Sequence, residues 1–182
     1  MAEELGNNET ARFEQAMLPH LDAAYNLARW LVRAPQDAED VVQEAYLRAF
    51  RFWRGYQGGD ARAWLLAIVR NTSYSLLEKK RPAELAEEFD ETVHRNETER
   101  PSQEAEMIFS AESRSVREAL ERLPVRFREA LVLREFEGLS YKQIAQAMDV
   151  PIGTVMSSLA RARAQLRDLI VGARAAEVRR AV

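Results

Sequence analysis

The sequence predicts an all-α protein: two small helical domains joined by a flexible acidic linker, the C-terminal one containing a helix-turn-helix. Three observations predict it. Apolar residues recur at three- and four-residue spacing in both halves, with no alternating strand pattern and no internal repeat. Between the halves, Ala83–Ser115 has little periodicity and carries ten acidic residues against Arg95, Arg100 and Arg114, a net of −7. Finally, Gly138–Leu166, GLSYKQIAQAMDVPIGTVMSSLARARAQL, reads as a short helix, a tight turn and a longer helix ending in a basic run. These seams divide the chain into a disordered tail (1–10), a first domain (11–82), the linker (83–111), a second domain (112–174) and a tail (175–182).

The polar residues up to Thr10 hold no buried stripe and are expected to be disordered. Phe13, Met17, Leu21, Ala24, Ala28 and Leu31 predict one helix from Ala11 to Arg33, ended by Pro35. Asp37-Ala-Glu-Asp40 resembles an N-cap with an acid at the third helical position, and the next helix runs to about Trp53. Val41, Val42, Ala45, Ala49 and Phe50 form its buried face, leaving Asp40, Gln43, Glu44 and Arg48 largely outward. The glycines of GYQGGD, Gly55–Asp60, mark a loop. A third long helix, Ala61 to about Lys80, carries Trp64, Leu65, Ile68, Thr72 and Leu76 and stops before Pro82. Helical patterning returns at Ala111 with Val116, Leu120 and Leu123. Pro124 breaks it, and Phe127, Leu131, Leu133 and Phe136 lead into the helix-turn-helix.

Within that motif Ser140 stands where an N-cap belongs, and Ile144, Ala145 and Met148 share one face. Asp149, Val150 and Pro151 interrupt the pattern, and the proline suits the first position of a new helix. Val155, Leu159, Ala162, Leu166 and Leu169 then make one apolar stripe, with Gly153, Thr154, Ser157, Ala160, Arg161 and Ala164 roughly opposite. Small and hydrogen-bonding residues beside arginines suit a helix entering the major groove, where bulk would hold it off the bases. Two short helices around a proline turn also occur in any α-protein. The run Arg161, Arg163 and Arg167, without acidic i, i+4 partners, favours the DNA reading.

Composition excludes several classes. Cysteine is absent and the two histidines, His20 and His94, are far apart, which rules out a structural zinc site and thiol chemistry. No metal or cofactor is expected. No segment resembles a signal peptide or approaches the length of a bilayer span, so a cytoplasmic location without direct membrane insertion is expected. The formal net charge is −3, yet its distribution is uneven. Ile152–Val182 carries +4 and Arg70–Arg81 carries +3, so two basic patches flank the acidic connector, as in a protein touching DNA at two places.

With both halves placed, the chain resembles the bacterial extracytoplasmic-function (group 4) sigma factors, short two-domain specificity subunits of RNA polymerase. Three segments carry the resemblance. DAEDVVQEAYLRAFRFW, Asp37–Trp53, is similar to the family helix that docks on the polymerase clamp. ARAWLLAIVRNTSYSLLEKKRP, Ala61–Pro82, is similar to the promoter-melting and downstream-element helix. Leu123–Leu166 is similar to the domain that reads the upstream, −35, element. Trp64 is followed by Leu65 rather than by the second tryptophan of housekeeping relatives. The chain departs from the family at Met156 and Ser158, where basic residues are frequent, and at Ala160, where a larger side chain is frequent.

The resemblance implies a set of site residues. Thr154, Ser157, Ser158, Ala160, Arg161 and Arg163 are expected at the upstream element. Asp37, Asp40, Gln43, Glu44, Leu47 and Arg48 are expected at the polymerase. At the downstream element, melting requires capture of extruded bases, and base–aromatic stacking is worth about 1–3 kcal/mol per base. Tyr56 and Gln57 could fold over such a base and Asn71 could read its edge, while Arg70, Lys79, Lys80 and Arg81 hold phosphates. Trp64, beside Leu65 and Ile68, is read first as core and second as a DNA contact. The implied partners are core RNA polymerase (clamp and flap), promoter DNA in duplex and melted form, and an anti-sigma factor.

Two other readings compete with this one. A response-regulator type of helix-turn-helix protein has a similar GLS…IA…TV pattern but needs a βα-alternating receiver, and the first half here is helical. A helical carboxylate-based hydrolase could use Asp40 and Glu44, but the two histidines do not supply convergent metal ligands. The chain is therefore read as a sigma factor and not as an enzyme in its own right.

Overall fold

The structure, a computed structural model, describes residues 2–80 and 111–180; Arg81 and all but the last residue of the linker read over 83–111 lie outside the described residues. The first domain comprises α1 (Ala2–Met17), a 3-10 turn (Leu18–His20), α2 (Leu21–Val32), α3 (Pro35–Phe52), a second 3-10 turn (Trp53–Gly55) and α4 (Ala61–Lys80). The second comprises α5 (Ala111–Arg122), α6 (Val125–Leu131), a π-helical turn (Val132–Phe136), α7 (Tyr141–Met148) and α8 (Ile152–Arg180).

Helix α1 begins at Ala2, inside the segment expected to be a disordered tail. Its anchors are long-range and hence invisible to periodicity. Glu9 pairs with Arg54 at 3.0 Å, and buried Phe13 meets Tyr46, Phe50 and Trp53 edge-on. The expected single helix over 11–33 is broken at Leu18–His20, because Pro19 lacks the N–H an interior helical position must donate. The break rotates Leu21 out of the stripe assigned to it, and it is 45% exposed.

Helix α3 starts at Pro35 behind an uncapped Ala34, so Asp37 is not its N-cap. Asp37 lies in the first turn and accepts from Lys80 Nζ at 2.6 Å through both oxygens. Val41, Val42, Ala45 and Ala49 are buried as expected, whereas Phe50 is 47% exposed and reaches only the edge of Phe13. Helices α2, α3 and α4 pack on one another around Leu27, Leu31, Leu65, Leu66 and Val69. Thr72 and Ser73, buried on α4, return their hydroxyl protons to the carbonyls of Ile68 and Val69, so neither is left unpaired.

In the second domain Ser140 caps α7 as expected. Its hydroxyl accepts from the Gln143 N–H, and the Gln143 side-chain oxygen accepts from the Ser140 N–H at 2.7 Å, a complete capping box. Asp149, left-handed at φ +54°, closes the other end. Pro151 stands one residue outside α8, its carbonyl accepting the N–H groups of Thr154 and Val155. Helix α8 buries Val155, Leu159 and Ala162, half-buries Leu166 and Leu169, and continues to Arg180, beyond the boundary expected at 174.

The two domains pack directly together: α7 lies on α4 and α6 on α2, and the buried apolar residues of both form one continuous cluster. Small domains bury a limited fraction of their surface, and this contact enlarges the common core. Among the described residues no helix is long and apolar enough to cross a membrane, and no three His, Cys, Asp or Glu side chains converge as metal ligands.

Asp60 joins the two units at the start of α4. Its Oδ1 accepts the Ala63 N–H at 2.8 Å, and its Oδ2 accepts from the Gln143 side-chain amide. Those donors, the Ala63 N–H foremost, hold the Asp60 carboxyl below its ordinary value. A depressed carboxyl contributes stability above its unfolded value, and the contribution is lost as pH falls through the folded one. Asp60→Ala is therefore expected to cost about 1 kcal/mol at neutral pH. Thermal unfolding at stepped pH should show the gap between parent and variant closing in strong acid. A gap that persists there would mean that ionised Asp60 contributes nothing as a cap.

Candidate nucleic-acid interface

Burial of Val155, Leu159 and Ala162 fixes the rotation of α8, and so decides which side chains face outward. Gly153, Thr154, Met156, Ser157, Ala160, Arg161 and Ala164 are all exposed, a shallow face with one arginine at its end. Ser157 donates to the Thr154 carbonyl at 3.0 Å, and Ser158 is half-buried. Arg161 pairs with no described residue and is free to extend. Arg163 is engaged: it donates to Glu135 at 2.7 Å, and that bond raises its pKa.

A second face forms where the 55–60 loop meets α4. Gly58 at φ +88° and Gly59 at φ +108° take the chain through a turn that L side chains rarely adopt. The Tyr56 hydroxyl donates to the Gly59 carbonyl at 2.9 Å, pinning the loop onto itself. The Tyr56 ring stacks on Trp53 at 5.1 Å and 17°, and lies 4.9 Å from Trp64. Trp64 is half-buried, so its ring belongs both to the core margin and to this aromatic stack. Gln57 lines the adjoining cleft with Arg12, Trp53, Arg54 and Gly58.

Farther along α4, Asn71 is exposed and its Oδ1 accepts from Arg70 Nη1 at 3.1 Å. Arg70 itself is turned inward, with Nε 2.5 Å from Glu129 Oε1 and its guanidinium 4.7 Å from the Tyr74 ring centre. Lys79 is exposed, Lys80 is held by Asp37, and Arg81 lies outside the described residues. The expected basic patch is thus partly neutralised by the protein's own carboxylates.

On α3, Asp40, Gln43 and Leu47 face solvent, and Leu47 is 48% exposed. Glu44 and Arg48 pair one turn apart at 2.7 Å, and the Arg48 bond holds the Glu44 carboxyl below its ordinary value. Beside this face runs an apolar cleft lined by Leu21, Tyr25, Val42, Gln43 and Tyr46.

Sequence reasoning missed a set of charged residues that meet between the domains. Glu129 is fully buried, with Oε1 on Arg70 and Oε2 2.8 Å from the Tyr74 hydroxyl. Burial raises its carboxyl pKa, while Arg70 and Tyr74 oppose the rise. Glu137, also buried, accepts from Arg62. Arg33 and buried Arg128 both donate to the Glu121 carbonyl, and burial brings Arg128 down to about 10. Within FREALVL, Arg128 and Glu129 read as solvated positions between apolar ones; only their position next to α4 reveals the pairing.

Comparison with known proteins finds two family matches along the chain. The family described as Sigma-70 region 2 matches residues 17–82, and Sigma-70, region 4 matches residues 113–166. The chain is similar to the ECF RNA polymerase sigma factor SigE of Mycolicibacterium smegmatis, 35% identical over 87% of this chain and 61% of that protein. It thus spans less than two thirds of that relative. It is also similar to the ECF RNA polymerase sigma-E factor of Haemophilus influenzae, 38% identical over 79% of each. Among solved structures it resembles the sigma factor RpoE in complex with the anti-sigma factor NepR from Bartonella quintana. There the TM-score is 0.69 and the identity 29%, over 87% of this chain and 96% of that one.

Proposed function

The chain belongs to the extracytoplasmic-function sigma factors, and from that premise we propose that it binds core RNA polymerase, directs it to specific promoters and helps melt the duplex. The observation that carries the reading is the outward face of α8. A helix held by the Ser140–Gln143 capping box and the Val155–Leu159–Ala162 stripe presents Thr154, Ser157, Ala160 and Arg161 with nothing bulky between them except Met156. We place the chain in group 4 of the sigma factors, acting in the cytoplasm and without enzymatic activity of its own. The relative from Bartonella quintana was solved with an anti-sigma factor. By extension, control by an anti-sigma factor is proposed here.

The division of labour follows from chemistry. Asp40, Gln43, Glu44 and Leu47 offer the clamp an acidic face with an apolar centre, with Asp37 and Arg48 at its margin. At the upstream element, Arg161 reaches a base edge, Thr154, Ser157, Ser158 and Ala160 allow the approach, and Arg163 contacts the backbone after leaving Glu135. Downstream, the stack of Trp53, Tyr56 and Trp64 supplies a surface on which an extruded base can replace a ring–ring contact with a ring–base contact. Gln57 and Asn71 supply edge hydrogen bonds, and Arg70, Lys79, Lys80 and Arg81 hold phosphates.

Three outcomes test this. Charge reversal at Asp40 and Glu44 should abolish assembly with core polymerase while circular dichroism shows unchanged helix; normal assembly would remove α3 from the clamp. Arg161→Ala should weaken promoter binding by about 1–3 kcal/mol and relax selectivity at one base pair, whereas Arg167→Ala should have a smaller effect equal across sequences. Unchanged affinity and selectivity for the Arg161 variant would take α8 out of the groove. Tyr56→Ala with Asn71→Ala should leave closed complexes nearly intact and sharply reduce opening. Gel shift and permanganate reactivity of unpaired thymines read the two steps separately, and a double variant that opens promoters normally sinks the base-capture assignment.

A further inference from the structure

The outward face of α8 carries one group to which the division of labour above gives no work. Met156 is 54% exposed, and Ile152, one turn before it, is 46% exposed. At i and i+4 the two side chains are neighbours on the helix surface, and exposed Ala160, a further turn on, continues the row. A lone exposed apolar side chain needs no explanation, but an apolar row within an interaction face does. The backbone beneath it is fixed. The Pro151 carbonyl accepts the N–H groups of Thr154 at 2.9 Å and Val155 at 3.3 Å, and burial of Val155 and Leu159 sets the rotation of the helix. The surroundings are cationic: Arg161, Arg163 and Arg167 follow on the same helix, and Ile152–Val182 carries +4, which suits a polyanion. On the floor of the major groove the one sizeable apolar group is the C5-methyl of thymine, among hydrogen-bond donors and acceptors. An apolar row pressed on a guanine or cytosine edge leaves those groups unpaired, whereas against a thymine methyl both partners lose apolar surface to water.

We propose that Met156, supported by Ile152, reads the C5-methyl group of a thymine in the upstream element, so that this chain selects an A·T pair where the apolar row crosses the groove. The inference rests on the reading that α8 enters the major groove, and it deepens that reading by naming a base. Ser157, next to Met156, fits the same pair. Its hydroxyl proton goes to the Thr154 carbonyl at 3.0 Å, which leaves its lone pairs to accept. The adenine opposite a thymine displays an N6 amino donor in the same groove. A lysine or arginine in place of Met156 is drawn to phosphate or to guanine. Methionine, uncharged and unbranched, donates to neither and adapts its shape to an apolar partner.

The test uses holoenzyme and a duplex promoter that it selects from a library randomised across the upstream element. Each thymine of the selected element, on either strand, is then replaced singly by deoxyuridine, which lacks the methyl group and keeps every hydrogen-bonding edge. At one or two positions the replacement should weaken binding by the parent about fourfold (0.8 kcal/mol for one methyl-sized group by the usual conversion). Holoenzyme carrying Met156→Ala with Ile152→Ala should bind the unmodified duplex more weakly and be indifferent to the same replacement, because the methyl group has lost its partner. Both positions are exposed, so the variant should fold, and circular dichroism checks that it does. Should the double variant assemble poorly with core polymerase, Met156→Ala alone gives the same comparison. A selected element without an A·T pair overturns the proposal, as does deoxyuridine that is neutral throughout for the parent, or a sensitivity that persists undiminished in the variant. Neutral deoxyuridine together with lost polymerase assembly in the variants assigns the row to a protein surface instead. Arg161→Ala separates the two failures. If it weakens and relaxes upstream binding while deoxyuridine is neutral, α8 lies in the groove and only the methyl readout is wrong. If it changes neither affinity nor selectivity, the groove reading falls and the methyl readout with it.

Discussion

A carboxylate buried away from water must find donors for both oxygens, and Glu129 finds them only on the other domain. An isolated buried ion costs several kcal/mol, so the docked arrangement depends on Arg70 and Tyr74 meeting those oxygens together. Apolar packing alone would allow α6 and α7 to slide along α2 and α4, because dispersion contacts have little directional preference. The Glu129 pair, with Glu137 on Arg62 and two arginines on the Glu121 carbonyl, admits one register. The C-terminal end of α5, with its unpaired carbonyls, is a natural place for Arg33 and Arg128 to donate.

Helix ends do similar work at the other side of the contact. Gln143 completes the capping box of α7 through its oxygen while its amide hydrogens reach Asp60, the cap of α4. One side chain thereby ties the start of a helix in each domain to the other. The orientation of α7 is transmitted to α8 through the left-handed Asp149 and through Ile144, Ala147 and Met148, which pack in the common core. Cap chemistry thereby sets, at a distance, which face of α8 meets solvent.

The aromatic end of the first domain follows from a different constraint. Trp53, Tyr56 and Trp64 would expose large apolar rings if left apart, and the Gly58–Gly59 turn lets the loop fold Tyr56 back onto Trp53. The resulting stack shares its edge with solvent. A ring held at a solvent-facing edge by one hydrogen bond and two ring contacts can exchange a ring partner for a base, which suits the base capture proposed for Tyr56. Arg70 and Lys80 differ: each is held by a carboxylate and must be released before it can hold a phosphate.

Much of this was legible in the sequence. Periodicity located α3, α4, α7 and the buried stripe of α8; the Ser140 N-cap and the Asp149–Pro151 break marked the helix-turn-helix; the Gly55–Asp60 loop was marked by its glycines. These features depend on neighbours a few residues away, and such interactions are written in local order. The sequence did not disclose that α1 reaches Ala2, that Pro19 splits a helix, that Leu21 and Phe50 are half-exposed, or that Asp37 binds Lys80 rather than capping α3. It also gave no sign that Arg70, assigned to DNA, is bonded to a buried glutamate 59 residues away. Local spacing determined which residues share a helix face. Which of those faces meets solvent and which meets a partner carboxylate was decided only by tertiary packing, because the desolvation of a charge depends on everything that surrounds it and not on its neighbours in the chain.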